Sequence, residues 1–319
     1  MIPPKAASAL QQFNESAEQC INAFFKTLEV PGPSILYHYT NDTGLRGILE
    51  SGKLWLTDMF NLNDPSELRH GLSHVVRILN AKAEKGPDES KVFAQLFEET
   101  LTRGAYQKFA HHFVLSFSAV GDDLGQWRAY ADNGRGYALG FEAKEIANAY
   151  KCPKGAPIQN NGTHPITYDN KKCEEVQKQI IDKMFDLISL PKTLGLDADS
   201  RDEFMNHLYA NLAQHTFRVA VVFKHEAYKN EQEWRFMEIH PPNEPPPPEV
   251  KFRSRPYSLV RYREFDWRNV AQGALKRIVI GPAAVADRTR AHQFVTDCLS
   301  AFHRGDVTLF RSAIPYRAM

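Results

Sequence analysis

The chain consists of short strand-like runs that lie between helical segments of very unequal length. The clearest strand-like run covers residues 111–119 (HHFVLSFSA), and a mainly helical pattern covers residues 170–225, with a break between Pro191 and Gly195. A doubly wound parallel sheet would require a regular alternation of strands and helices, which this order does not have. The sequence therefore predicts an α+β fold in which irregular helices separate the strands.

Length alone allows one large domain or two, and the sequence contains no internal repeat. We predict a single domain over residues 1–319 with a helical insertion. Its parts are a helical lead-in (1–30), the first half of a sheet core (34–165), the insertion (170–225) and the second half of the sheet core (226–319).

Charge and hydropathy exclude some classes of function. The 39 Lys and Arg residues nearly balance the 38 Asp and Glu residues, so the formal charge of +1 creates no whole-protein field that attracts nucleic acid; only a local basic groove could do so. Apolar runs such as 113–117 and 219–223 are much shorter than the ~20 residues of a membrane span. The N-terminal sequence also lacks the apolar core of a secretory signal. We therefore expect no membrane partner.

The cysteines and the glycine-rich runs carry no complete motif. Because no CxxC pair is present, we expect neither a zinc knuckle nor a redox site, and isolated thiols predict a reducing compartment, the cytoplasm. His70 and His74 have the spacing of zinc ligands on a helix, but a glycine follows His70 where a metalloprotease has its glutamate. Residues 47–54 lack the hydroxyl residue of a phosphate-binding loop, with Leu54 in its place. We therefore expect no dedicated metal site. The four cysteines are Cys20, Cys152, Cys173 and Cys298.

Two strand-like runs carry polar residues on one face. With the two-residue period of a strand, Ser116 and Ser118 lie opposite the apolar residues of VLSFS. In the same way Glu231, Glu233 and Arg235 lie opposite the aromatic residues of EQEWRF. Like charges on one strand face repel each other, so the pattern indicates either a tuned acidic site or the solvated face of an edge strand.

His38 occupies the middle of a third strand-like run, LYHYT, between Tyr37 and Tyr39. A histidine in such a run is more often a hydrogen-bonded core residue than a ligand-binding residue, and both interpretations stay open.

Six segments occur in an order that resembles a bacterial family, the domain-of-unknown-function family 2971, over about residues 35–282. They are LYHYT (36–40), LWLT followed by LNDPSE (54–57 and 62–67), FS (117–118), QWRAYA (126–131), GYALGF (136–141) and EQEWR (231–235). The order of a histidine on a first strand, a serine on a middle strand and a late Glu-x-Glu is also similar to the ADP-ribosyltransferase superfamily. That similarity implies a split β-sandwich of mostly antiparallel strands with NAD in its central cleft.

The resemblance implies that NAD is the substrate and assigns the residues that bind it. His38 would hydrogen-bond a ribose hydroxyl with Thr40 nearby, and Ser118 would lie near the nicotinamide ribose. Either Tyr130 or Tyr137 would stack on the nicotinamide ring, since flat aromatic faces stack in this way.

The resemblance also assigns the reacting groups. Glu233 would be the catalytic carboxylate, because cleavage of the nicotinamide glycosidic bond builds an oxocarbenium-like cation that a fixed carboxylate stabilises. Glu231 could orient or deprotonate the incoming nucleophile. Arg235 would either clamp Glu231 or Asp64 or hold a phosphate. Helix capping by Asn63 or Asp64 explains the polar turn that follows the second strand-like run.

The sequence thus supports two hypotheses of different classes. One is an enzyme of ADP-ribosyl transfer or NAD hydrolysis, as a toxin or a phage-defence effector, whose acceptor is a protein or a nucleic acid. It requires that Glu233 and His38 line one cavity and that Glu233 is not held in a buried ion pair. The other is a noncatalytic module that binds a nucleotide or nucleic acid through phosphate contacts. Those contacts would come from Arg128, Arg135, Arg235, Lys251, Arg253 and Arg255.

Overall fold

The computed structural model describes residues 2–28, 32–62, 66–103, 111–150, 161–240, 249–255, 258–283 and 288–316. The capping role predicted for Asn63 or Asp64 lies outside these residues. The described helices are α1 (Pro4–Leu28), α2 (Asp42–Ser51), α3 (Ser66–Ala83), α4 (Asp88–Arg103), α5 (Leu124–Tyr130), α6 (Ala143–Ala149), α7 (Asn170–Ile188), α8 (Leu190–Thr193), α9 (Ala198–Ala220), α10 (Trp267–Val270) and α11 (Arg288–Ala301).

Local sequence explains where the helices that flank the cleft begin and end. The side chain of Asn41 accepts a hydrogen bond from the backbone of Gly44 at the start of α2, and Gly52 ends that helix with a φ of 70°. The Asp123 side chain caps α5 in the same way, through the backbone N–H of Gln126. The predicted break in the long helical region is confirmed, since the short helix α8 separates α7 from α9.

The strands form one large sheet. They are β1 (Ile35–Thr40), β2 (Leu54–Asp58), β3 (His111–Ser118), β4 (Tyr137–Glu142), β5 (Asn161–Pro165), β6 (Glu233–His240), β7 (Lys251–Arg255), β8 (Ser258–Phe265), β9 (Leu275–Ile280) and β10 (Thr308–Arg311). Their order is β10-β9-β4-β1-β3-β2-β8-β7, with β6 paired to β3 and β5 paired to β6. Among the described pairs only β9 and β10 are parallel. The predicted α+β class with mostly antiparallel strands is confirmed, but the strands are hydrogen-bonded into one open sheet.

The sheet divides at β3, and this division creates the cleft. One edge of β3 pairs with β6 from His111 to Ser118. On the other edge, β1 reaches only Ser118, and β2 reaches only Phe113 and Val114. The strands β1 and β2 therefore diverge and leave the edge of β3 at residues 115–117 without a strand partner. We call this gap the split.

A layer of helices covers one face of β3 and β6. Val114 and Met237, which are paired across these strands, belong to the same apolar cluster as buried residues of α1, α3, α4, α7 and α9. The alternate residues of β3, such as Phe113 and Leu115, pack in a second apolar cluster around Phe236 and other strands. The helical layer is therefore attached to the sheet at the same strands that border the split.

Two predictions about individual strands need correction. Strands β5 and β10 were not expected from their sequences, NGTHP and TLFR, and they exist by pairing with β6 and β9. The Glu-x-Glu pair does not lie on one strand, because Glu231 ends a 3-10 helix (Glu226–Glu231) and Gln232 has a φ of 42°. The strand β6 begins only at Glu233.

Candidate functional site

The cleft beside the split consists of two adjoining chambers. The inner chamber has a volume of about 230 Å³ and contains His38, Glu231 and Glu233 in its wall. The outer chamber has a volume of about 620 Å³ and extends along β2 and α2. Residues that line both chambers are His38, Tyr39, Trp55, Thr57, Tyr130 and Arg255. The first requirement of the enzyme hypothesis, a cavity shared by His38 and Glu233, is therefore met.

His38 lies in the split and bridges β1 to β3. Its Nδ1 lies 3.1 Å from the carbonyl oxygen of Ser116, at the edge of β3 that no strand covers. Burial lowers the pKa of His38 more than this hydrogen bond raises it, so the imidazole is neutral at neutral pH. A carbonyl only accepts, so Nδ1 must carry the proton and Nε2 is left as an acceptor. Such a nitrogen can accept a hydrogen bond from a ligand hydroxyl.

Glu233 is held in a buried ion pair. Its Oε1 accepts from Nε of Arg235 at 2.7 Å, and its Oε2 accepts from Nη2 of Arg235 at 3.1 Å and from Nζ of Lys224 at 3.2 Å. Burial alone would raise the pKa of Glu233, but Arg235 and Lys224 outweigh it and hold this pKa well below its usual range. The second requirement of the enzyme hypothesis, a Glu233 free of such a pair, is not met.

Arg235 acts as a structural clamp, one of the two roles that the sequence left open. It binds Glu233, two residues earlier on the same strand face, and the expected partner Asp64 lies outside the described residues. Its Nη1 also donates to the carbonyl of Val221 at 2.9 Å, just after α9. The guanidinium is buried and directs three of its nitrogens to protein oxygens, which leaves little capacity for a phosphate.

Glu231 is the more exposed of the two acids in the wall of the inner chamber. Its Oε2 accepts from Nζ of Lys224 at 2.5 Å, and its Oε1 lies 3.3 Å from the hydroxyl of Tyr130. The left-handed turn at Gln232 separates Glu231 from the strand that begins at Glu233. Lys224 thus joins two carboxylates with different environments, one clamped by Arg235 and one beside Tyr130.

The remaining predicted residues occupy different positions around this centre. Ser118 is buried, donates to the backbone carbonyl of Glu231 at 2.7 Å and accepts from the backbone of Val120 at 3.0 Å. Thr40 lines the outer chamber. Of the two candidate stacking residues, Tyr130 lines both chambers, whereas Tyr137 lines neither and donates to Asp42 at 2.8 Å.

Three residues of the cleft were missed from the sequence. Lys224 is buried and follows an apolar run at the end of α9; a lone lysine directly after such a run was the available signal. Tyr228 packs its ring 4.7 Å from Nζ of that lysine. Trp55, which alternates outward on β2, lines both chambers.

The six basic residues of the binding hypothesis do not share one surface. Arg253 and Arg255 line the outer chamber, and Arg255 reaches the inner one. Arg235 is buried, and Lys251 pairs with Glu264 at 2.8 Å. The other two, Arg128 and Arg135, line neither chamber.

One part of the chain matches a known family model. Residues 126–236 match the model of a family described as Protein of unknown function (DUF2971). The expected DUF2971 resemblance is confirmed there. The DUF2971 segment includes Lys224, Glu231, Glu233 and Arg235, whereas His38 lies before it. Searches of curated proteins and of solved structures found no match.

Two further findings concern metal ions and membranes. Within the part of the chain that the structure describes, no group of three or more His, Cys, Asp or Glu side chains is placed to hold a metal ion. None of the described helices combines the length and the apolar character needed to cross a bilayer.

Proposed function

We propose that the cleft binds NAD and cleaves its nicotinamide glycosidic bond, with transfer of ADP-ribose to water or to a macromolecular acceptor. The observation that carries this proposal is the convergence of a neutral His38 and the Glu231 carboxylate on one chamber at the split. The imidazole nitrogen of His38 would accept from a ribose hydroxyl, and the carboxylate would face the anomeric carbon.

In this mechanism the reacting carboxylate is Glu231, because Glu233 is held in a buried ion pair and does not meet the requirement set for the acid that the resemblance assigned. When the bond between the anomeric carbon and the nicotinamide nitrogen breaks, its electron pair leaves with nicotinamide and positive charge develops on the ribose. A preorganised carboxylate stabilises that charge. The oxygens of Glu233 already accept from Arg235 and Lys224, so Glu233 acts by holding Lys224, which in turn positions Glu231.

Completion of the reaction requires a nucleophile and a place for its proton. A hydroxyl of water or of the acceptor attacks the anomeric carbon on the face that nicotinamide leaves. As the new carbon–oxygen bond forms, the hydroxyl proton passes to Glu231, which then releases it to solvent. Tyr130, whose hydroxyl lies 3.3 Å from Oε1 of Glu231, would contact the nicotinamide side of the substrate.

The ends of the dinucleotide would occupy different chambers. The nicotinamide riboside would occupy the inner chamber, and the pyrophosphate and adenosine would extend into the outer one along its α2 wall. Arg255 lines both chambers and is the cation at their common wall, so it would contact the pyrophosphate.

A second candidate, noncatalytic binding of a nucleotide, is favoured by one specific observation. The acid that the resemblance made catalytic, Glu233, is buried in an ion pair and its charge is balanced by Arg235 and Lys224. On this alternative the same cleft would bind the nucleotide without breaking a bond.

Release of nicotinamide from NAD tests both candidates. We expect Glu231→Gln to reduce release by roughly 10²- to 10³-fold, because it removes the charge that faces the developing cation. Its matched control is Glu226→Gln, an exposed acid on the same 3-10 helix that should leave release unchanged.

The outcomes separate the candidates. Wild-type protein that binds NAD in a calorimetric titration but releases no nicotinamide would support noncatalytic binding. Full release by Glu231→Gln would contradict the mechanism. Absence of NAD binding by the wild type would remove both candidates for this ligand.

A further inference from the structure

A basic and aromatic surface leads out of the cleft along the edge of the sheet. Alternate residues of β7, from Lys251 through Arg253 to Arg255, point to one face, and Trp55 of β2 lies on that same face. Lys53 completes the set at the wall of the outer chamber. We call Lys53, Trp55, Lys251 and Arg253 the basic strip. It lies next to Arg255 and includes two residues of the edge strand β7.

The charge of this surface is not balanced. Lys53 and Lys251 both bind the same carboxylate oxygen of Glu264, at 2.7 Å and 2.8 Å. The strip and Arg255 thus place four cations near two carboxylates, Glu264 and Asp266, an excess of two, while the whole chain has a formal charge of only +1. A local excess larger than the net charge of the protein indicates a surface for a polyanion.

Arg253 has unused binding capacity. Its Nε is buried without a hydrogen-bond partner among the described residues, and one Nη donates only a long 3.3 Å bond to Thr57. Within the described part of the chain, no carboxylate lies within ion-pair distance of Arg253. Burial and the nearby charge of Arg255 both lower the pKa of Arg253, so an anion at this position would relieve an uncompensated positive charge.

The same residue is part of a stacking surface. The guanidinium carbon of Arg253 lies 5.2 Å from the ring centroid of Trp55, and Tyr262 lies 4.5 Å from that ring. Trp55 is nevertheless 42% exposed. Unpaired bases stack on aromatic rings and on arginine planes, whereas paired bases are hidden inside a duplex. On β7, cations stand at every second residue and lie beside the stacking surface of Trp55 and Arg253. This arrangement suits single-stranded nucleic acid.

We propose that the basic strip binds single-stranded nucleic acid and presents it to the inner chamber as the acceptor of ADP-ribose. This inference rests on the proposed function for the acceptor role, but the binding itself does not depend on NAD cleavage. The phosphates would contact Lys251 and Arg253, and a base would stack at Trp55. A hydroxyl or amino group of the next nucleotide could then reach the anomeric carbon beside Tyr130.

The binding test is a fluorescence titration of the full chain with a short mixed-sequence oligonucleotide, as single-stranded DNA, as single-stranded RNA and as a hairpin duplex. We expect both single strands to bind more tightly than the duplex, with a slope of log affinity against log salt of about −1.4 for two phosphate contacts. Arg253→Ala and Trp55→Ala should each weaken binding roughly five- to hundredfold. Lys251→Ala should reduce the salt slope by about 0.7.

Two variants separate charge, stacking and folding. Arg253→Lys keeps the charge and should retain the salt slope while it loses affinity through the lost planar contact. Arg311→Ala, which changes an exposed arginine on the opposite edge strand β10, should bind like the wild type. Thermal unfolding curves would identify any variant that fails to fold, and Arg253→Lys then decides the question.

The failure of this inference can be told from the failure of the proposed function. Lys251→Ala should release nicotinamide from NAD at the wild-type rate without an oligonucleotide, since Lys251 lines neither chamber. Strip variants that bind like Arg311→Ala, or equal binding of duplex and single strand, would overturn the proposed surface. Competition by an acidic peptide of equal charge would instead indicate a protein partner and would also overturn it. Strand binding without any ADP-ribosylated strand in the presence of NAD would overturn the acceptor role alone.

Discussion

One face of the β3–β6 pair has a mainly apolar half and a polar half. In the apolar half, where the buried His112 is the polar exception on β3, Val114 and Met237 pair across the strands and pack in the helical layer. Two residues further along the same face, Ser116 is paired with Arg235, and then Ser118 with Glu233. The helices cover both halves, because Arg235 also donates to the carbonyl of Val221 just after α9. The same packing surface thus changes from apolar side chains to buried charges within about 7 Å of strand.

The two halves depend on their neighbours in different ways. Apolar side chains gain free energy simply by leaving water, whereas buried ion pairs repay their desolvation only when every partner is present. Glu233, Arg235 and Lys224 meet that condition together. Because well-packed apolar residues would stabilise this position at least as well, the charged cluster is best explained by its support of Glu231 in the cleft.

The largest expected loss of stability follows from the removal of one charge from the polar half. Arg235→Leu leaves Glu233 buried without its main partner, and we expect the free energy of unfolding to fall by about 3 to 5 kcal/mol. Urea denaturation of the full chain measures this loss. Exchange of both partners, as Glu233→Leu with Arg235→Leu, should restore much of the stability, because no unpaired charge then remains.

The matched variants lie in the apolar half, two residues along β6. Met237→Leu conserves volume and should cost less than about 1.5 kcal/mol, whereas Met237→Ala leaves a cavity and should cost about 2 to 5 kcal/mol. If Arg235→Leu were no more destabilising than Met237→Leu, the contrast between the two halves would be wrong.

Acidification should reduce the stability contributed by His215 of the helical layer and by Glu233 of the cleft at different pH values. In the helical layer, burial and the nearby charge of Arg218 lower the pKa of His215 to about 4, from an ordinary value of 6.5. The unfolded chain therefore binds a proton that the folded chain does not, and stability falls as the pH decreases from 6.5 to about 4. The full loss from this residue is about 3 kcal/mol. Its ring faces Phe13, Asn14 and Glu18 of α1.

Glu233 in the cleft should respond later in the same titration. Its pKa is lowered in the folded state, so its contribution to stability is present above the ordinary value of 4.5 and is lost as the pH falls below it. Urea denaturation across the range measures both phases. Burial and the charge of Arg218 also lower the pKa of His164 to about 4, so His215→Gln should reduce the first phase without abolishing it. His207→Gln, at an exposed position of α9, should change neither phase. A first phase of unchanged size in His215→Gln would assign it to other groups.

The sequence was sufficient to predict which residues share a strand face, but not where the acidic side chains point. The two-residue period correctly placed Ser116 with Ser118 and Glu233 with Arg235, because that period follows from strand geometry alone. The period does not hold at Gln232, where a left-handed backbone ends the regular pattern. Glu231 therefore points into the chamber for a reason that no count of residues could show.

Long-range packing set the remaining features of the cleft. Lys224 meets the two acids because α9 ends beside β6, which depends on how a helix of 23 residues docks on the sheet. The sequence did not distinguish Tyr130 from Tyr137 as the stacking residue, and only the position of α5 beside the split distinguishes them. The strands β5 and β10 have weak local patterns and depend on their neighbours for their existence.

The variant with the smallest expected effect on stability tests how the polar half supports the cleft. Ser118→Ala removes the hydroxyl that donates to the carbonyl of Glu231 and accepts from the backbone of Val120. We expect a loss of only about 1 kcal/mol, similar to that of one hydrogen bond. Ser73→Ala should cost less, because Ser73 is exposed on α3 and alanine is the better helix former.

The two serine variants should differ in turnover as well as in stability. Freed from Ser118, the backbone of Glu231 can shift, and a displaced carboxylate would stabilise the developing ribose cation less well. Ser118→Ala should therefore lower kcat for nicotinamide release with little change in KM, while Ser73→Ala leaves both constants unchanged. An equal kcat in the two variants would mean that Ser118 only stabilises the fold. A rise in KM alone would mean that Ser118 shapes the binding of NAD and not the position of the reacting acid.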